Sequence, residues 1–131
     1  MKKRYFTLDE AQKLIPEVSS KLIKLIRIAK TLQLLNTIEI NYEDEIQFIF
    51  NEINSRKNNH RLYYEFYELL EEILNYGAIV KDLNFGLVDF YSLYKGKEIF
   101  LCWSLGENKI NYWHEADLGY DERKPIDLLD N

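Results

Sequence analysis

The chain has one cysteine, Cys102, among its 131 residues. No internal disulfide can form, and the paired cysteine spacings of a zinc finger or ribbon are missing. Two prolines and five isolated glycines provide no flexible linker, no GxGxxG run and no P-loop. GxSxG and HExxH are also absent. His114-Glu115 is followed by Ala116-Asp117-Leu118, with no second histidine at the required spacing. No apolar run reaches the roughly 20 residues needed to span a bilayer. The basic start, Met1 to Phe6, passes straight into a helix cap with no signal-peptide core. The expectation is a cytoplasmic protein with no membrane association.

What is present is a globular composition, 47% apolar and 15% aromatic. A chain of this size can bury about two-thirds of its unfolded surface, so residues 1–131 are expected to form a single domain. The net charge of −5 is unevenly placed. Residues 1–36 hold eight Lys/Arg against three Asp/Glu, whereas residues 37–78 hold three against nine. Opposite charge on successive helices favours packing of one on the other. Lys21, Lys24, Arg27 and Lys30 recur every third residue, and each such step turns a helix by about 300°. They spiral round the polar face rather than line one edge. That geometry and the acidic remainder argue against nucleic-acid binding.

Thr7-Leu8-Asp9-Glu10 fits a capping box, with Phe6 placed to staple onto Ala11. Leu8, Ala11, Ile15, Val18, Leu22, Leu25, Ala29 and Leu32 then recur at steps of three and four, the seam of a coiled coil. Pro16 is expected to bend this helix without ending it, because the seam continues in phase. After a turn near Asn36 to Asn41, with Asn41 as cap, a second helix is expected through Ile46, Ile49, Ile53, Tyr63, Phe66, Leu70, Ile73 and Leu74. It should run unbroken across the polar stretch Asn54 to Arg61 and stop at Gly77. Ile23, Ile26 and Leu34 point off the seam, which suggests a second packing partner, either the β-rich tail or another copy of the chain.

The period becomes two after Gly77. Ile79 to Leu83 reads as a strand, Leu87 to Tyr91 as a strand or irregular arm, and Glu98 to Leu105 as the strongest strand. A turn at Gly106 to Lys109 then leads into Ile110 to His114. The segment also holds both tryptophans, the cysteine and nine of the nineteen aromatics. The expected fold is α+β: a long antiparallel, coiled-coil-like helical hairpin over residues 7–77, a small antiparallel β meander over 78–126, and a tail at 127–131.

The chain resembles a known family at Phe6 to Ala11 with Leu14-Ile15-Pro16, at Val80 to Leu83, and at Gly86-Leu87-Val88-Asp89-Phe90. The likeness continues through Leu101-Cys102-Trp103-Ser104-Leu105-Gly106-Glu107 and Tyr112-Trp113-His114-Glu115, then Asp117, Gly119-Tyr120, Arg123 and Pro125. It is similar to the small prokaryotic proteins of domain of unknown function 2203, and departs at Ser104, where that family carries a basic residue. The resemblance implies the same helix-plus-ribbon architecture and a recognition surface around Asp89, Trp113, His114, Asp117 and Arg123. It brings no catalytic residue.

Two functional readings follow. In the first, the protein is a non-enzymatic interaction or oligomerisation module, most simply a homodimer, with no cofactor. In the second, Asp82, Asp89, His114 and Asp117 hold a divalent metal, since imidazole and carboxylates suit Zn, Mn or Fe. Against the second stands a plainer use of the same groups: Asp82 and Asp89 as turn caps, and His114 packed on Trp103 or Trp113. Cys102, mid-strand between large apolar neighbours, reads as an inert thiol. Trp103 belongs to the core, and Trp113, beside acidic residues, to the surface.

Overall fold

A computed structural model describes residues 4–37 and 45–129. Two helices, α1 (Leu8–Thr37) and α2 (Glu45–Tyr76), precede a five-stranded antiparallel sheet. Its strands β1 (Ala78–Asp82), β2 (Leu87–Tyr94), β3 (Lys97–Ser104), β4 (Tyr112–Glu115) and β5 (Lys124–Pro125) lie in chain order, so the fold is α+β. Among the described residues no helix is long and apolar enough to cross a membrane.

The capping box forms. The Thr7 N–H donates to Glu10 Oε1 at 3.1 Å, and the Glu10 N–H donates to Thr7 Oγ1 at 3.2 Å. Glu10 is thereby held below the usual carboxylate pKa, by the Thr7 backbone first and the Thr7 hydroxyl second. Pro16 lies exposed inside α1 and the helix passes through it. Of the seam, Ala11, Ile15, Val18, Leu22, Leu25 and Leu32 are buried, while Leu8 and Ala29 are partly covered.

Helix α2 is unbroken across Asn54 to Arg61 and ends at Gly77, whose φ of 97° suits the left-handed closing position. Ile73 is its buried anchor, with Phe66, Leu69 and Leu70 partly covered against the same core. Tyr63 and Ile53, expected on that face, are exposed instead, and Leu69 takes up part of the role. Ile26 packs on the core rather than away from it, whereas Ile23 is exposed. Lys21 Nζ bonds Glu72 Oε2 at 2.6 Å, joining α1 to α2 by the charge complementarity visible in the sequence. The Asn41 cap and the rest of its turn lie outside the described residues.

The sheet turns one face to the helices. Val88 and Phe90 of β2, Ile99, Leu101 and Trp103 of β3, and Trp113 of β4 share a core with the α1 seam. Register explains the set. Phe90 pairs with Leu101, which pairs with Trp113, and alternate residues of each strand point the same way. Trp113 is therefore 5% exposed and belongs to the core, not the surface. Its acidic neighbour Glu115 shares that side of the strand but lies at its partly exposed end, held by Lys124. The β2–β3 turn carries positive φ at Lys95 (52°) and Gly96 (79°), the two-residue geometry that matches strand twist.

Candidate functional site

The opposite side of the sheet follows from the same alternation. Asp89 of β2 is the direct partner of Cys102 of β3, and Cys102 is the partner of Tyr112 of β4. Two residues along β4, His114 pairs with Phe100. Asp89, Phe100, Cys102 and His114 thus share the outer face, and all four are buried. Segments after β4 enclose them. They line a cavity of about 160 Å³ together with Ala116, Leu118 and Gly119. Lys81 closes another side, its ammonium 4.8 Å from the centre of the Phe100 ring.

Asp89 and His114 are joined across the width of β3, Oδ2 to Nε2 at 3.1 Å. The other ring nitrogen, Nδ1, lies 2.8 Å from the Glu115 carbonyl. A carbonyl can only accept, so Nδ1 carries a proton and one further proton bridges Nε2 and Asp89. The bond to Asp89 raises the pKa of His114 above its ordinary value; burial opposes the shift and the Glu115 carbonyl reinforces it.

Asp89 is 3% exposed, and its second oxygen, Oδ1, has no hydrogen-bond partner among the described residues. Buried carboxylate oxygens are ordinarily satisfied, so this atom marks an opening for something else. Glu115 Oε2 is also unpartnered, but that side chain is 28% exposed and its Oε1 holds Lys124 Nζ at 2.5 Å. The lysine keeps Glu115 below the usual carboxylate range.

Cys102 completes the group. One ligand-type atom each from Asp89, Cys102 and His114 lies within 4.8 Å of the other two. Burial pushes the thiol up to about 12, the Asp89 charge and a thiol hydrogen bond to the Asp89 carboxylate add to the rise, and Arg123 opposes it. At neutral pH it is a thiol and a poor nucleophile. Arg123 also stacks on Tyr112, its guanidinium carbon 4.3 Å from the ring centre.

Of the residues singled out in the sequence, Asp89 and His114 meet, and Arg123 stands beside Cys102. Trp113 is on the opposite face. Asp82 caps a turn, its Oδ1 accepting from the Phe85 N–H at 3.1 Å. Asp117 is exposed on the segment whose neighbours Ala116 and Leu118 line the cavity. His114 packs on Phe100 at 5.4 Å between ring centres, not on either tryptophan. Cys102 is the member that sequence reasoning set aside. Its alternation with Trp103 was the available signal, since it placed the thiol on the face away from the core.

No curated protein and no solved structure matches the chain. A family model does match, over residues 4–126, nearly the whole length. The chain belongs to the DUF2203 family, described as an uncharacterized conserved protein.

Proposed function

We propose that the chain is a non-enzymatic binding module whose recognition site is the enclosed pocket on the outer face of the sheet. The observation that supports this most is Asp89, which lines the cavity and whose Oδ1 is buried without a hydrogen-bond partner among the described residues. Leaving a buried acceptor unsatisfied costs about 1–3 kcal/mol, more for a charged one, so a species that bonds it gains that much in binding. The cavity has room for a small group only.

The helices serve as scaffold: an antiparallel, coiled-coil-like hairpin, supported by the buried α1 seam and the Lys21–Glu72 pair. The chain also self-associates through α2. Ile53, Tyr64 and Tyr67 are 44%, 70% and 62% exposed, and a helix brings residues at these spacings to one side. A reducing, cytoplasmic setting suits the one free thiol.

Native mass spectrometry of the protein as purified from its expression host tests the pocket. The expected result is a bound species above the chain mass that is lost in Asp89→Ala. A bare chain mass in the wild type, or a species retained in the variant, contradicts the proposal.

A further inference from the structure

We propose that the pocket is a site for one divalent transition ion of the zinc class, ligated by Asp89, Cys102 and His114, with a fourth position open to the cavity. The inference rests on the pocket being the working site and adds the chemical identity of its occupant. Three observations carry it.

The first is convergence. Carboxylate oxygen, thiol sulfur and imidazole nitrogen lie within 4.8 Å of one another, on three strands. A tetrahedral ion with bonds of about 2.0–2.3 Å keeps its ligand atoms roughly 3.3–3.8 Å apart. His114 Nε2 and Asp89 Oδ2 are already at 3.1 Å, so small side-chain adjustments admit the ion in place of their hydrogen bond.

The second is orientation. Ligating histidines commonly donate their other ring N–H to a carbonyl, which fixes ring and tautomer. His114 does this: Nδ1 is tied to the Glu115 carbonyl at 2.8 Å, which leaves the Nε2 lone pair for a metal. Glu115 is itself anchored by Lys124.

The third is the orphaned Asp89 Oδ1, 3% exposed as a residue, with lone pairs that no described donor meets. An ion bound to this carboxylate offsets the charge that atom carries. The ligand set alone is charge-neutral with the ion, with Arg123 and Lys81 as further cations beside it. Thiolate and carboxylate together carry two negative charges against the ion's two positive ones, with the imidazole neutral. Loading sends the thiol proton, and the proton shared by His114 and Asp89, to solvent. Thiolate and imidazole select a borderline-soft ion over magnesium or calcium. Leu118 and Gly119, on the cavity wall, place the fourth position where a water or small ligand can reach it.

Cobalt(II) is the probe, added to the full chain after chelator treatment and dialysis. We expect one equivalent bound, with tetrahedral visible bands and a sulfur-to-cobalt charge-transfer band. The chain has a single cysteine, so that band in the wild type identifies Cys102 without any variant. Zinc should displace the cobalt and bleach it. Asp89→Asn and His114→Gln, checked for folding by circular dichroism, should weaken binding by about tenfold or more. Asp82→Asn, Asp117→Asn and His60→Gln should bind as the wild type does. Failure to bind cobalt, binding without the charge-transfer band, or equal loss in the Asp82 and Asp117 variants overturns the assignment. If no metal binds but mass spectrometry still finds another species that needs Asp89, the metal falls and the pocket stands.

Discussion

Asp89 on β2 reaches across β3 to His114 on β4, Oδ2 to Nε2 at 3.1 Å, with both side chains buried. The two therefore depend on each other. His114→Ala strands a buried carboxylate and is expected to lower the stability of the metal-free protein by about 3 kcal/mol or more. Replacing both by leucine should recover most of that loss. Urea melts of His114→Ala, Asp89→Ala and the double leucine variant make the comparison, and a double-variant loss as large as that of His114→Ala would contradict it.

Burial and the Asp89 charge push the Cys102 thiol up to about 12, so it should be inert in the folded, metal-free chain. Alkylation by iodoacetamide at mild alkaline pH, followed by mass spectrometry, should run at least about tenfold slower than in urea. Fast labelling of the folded protein would show an open, activated thiol instead.

Gly86 and Gly96 both have positive φ, 63° and 79°, but differ in surroundings. A Cβ at Gly86 would lie 2.6 Å from Leu105 Cβ, whereas at Gly96 nothing lies within 4 Å. Gly96→Ala should cost about 1 kcal/mol from backbone strain. Gly86→Ala adds the clash and should cost clearly more. Thermal melts rank the pair, and the reverse order would count against the placement of the Leu105 segment.

The Thr7–Glu10 cap gives a pH signature for α1. Glu10 has a lowered pKa in the fold, so its contribution to stability is present above its ordinary, unfolded value and fades as pH falls through the lower folded value. Thr7→Ala should lower stability by about 1 kcal/mol. It should also flatten the acid limb of a melting-temperature profile. An unchanged limb would mean that the cap is not formed.

Self-association through α2 predicts a dimer in sedimentation equilibrium and a monomer for Tyr64→Asp with Tyr67→Asp. Both tyrosines are more than half exposed in the single chain, so the substitutions should leave the monomer fold intact. A monomeric wild type would rule this interface out.

The helices were legible because their signals are local and repeated. The capping box spans four residues, and the α1 seam repeats one pattern over many turns. Within the sheet, the glycine turns and the apolar run at β3 also announced themselves. The strand after β3 was expected to begin at Ile110 but begins at Tyr112, because the loop is built by side chains. Glu107 accepts from the Ser104 N–H and from Asn111, and its carbonyl accepts from the Trp103 indole. No periodicity records such bonds. β5 is only Lys124–Pro125, too short to alternate. The pocket depended on register. Asp89, Cys102 and His114 are far apart in the chain, and only the pairing of three strands shows that they share a face while Trp113 faces the other way. Asp82 and Asp117 looked equivalent to Asp89 in sequence. One proves to be a turn cap and the other exposed.

A crystal structure of the protein as isolated offers the most direct measurement. Electron density for a bound species in contact with Asp89 Oδ1, inside the cavity beside His114 and Cys102, is the expected result. A collapsed cavity, with Oδ1 bonded to a protein donor or to solvent alone, would contradict it.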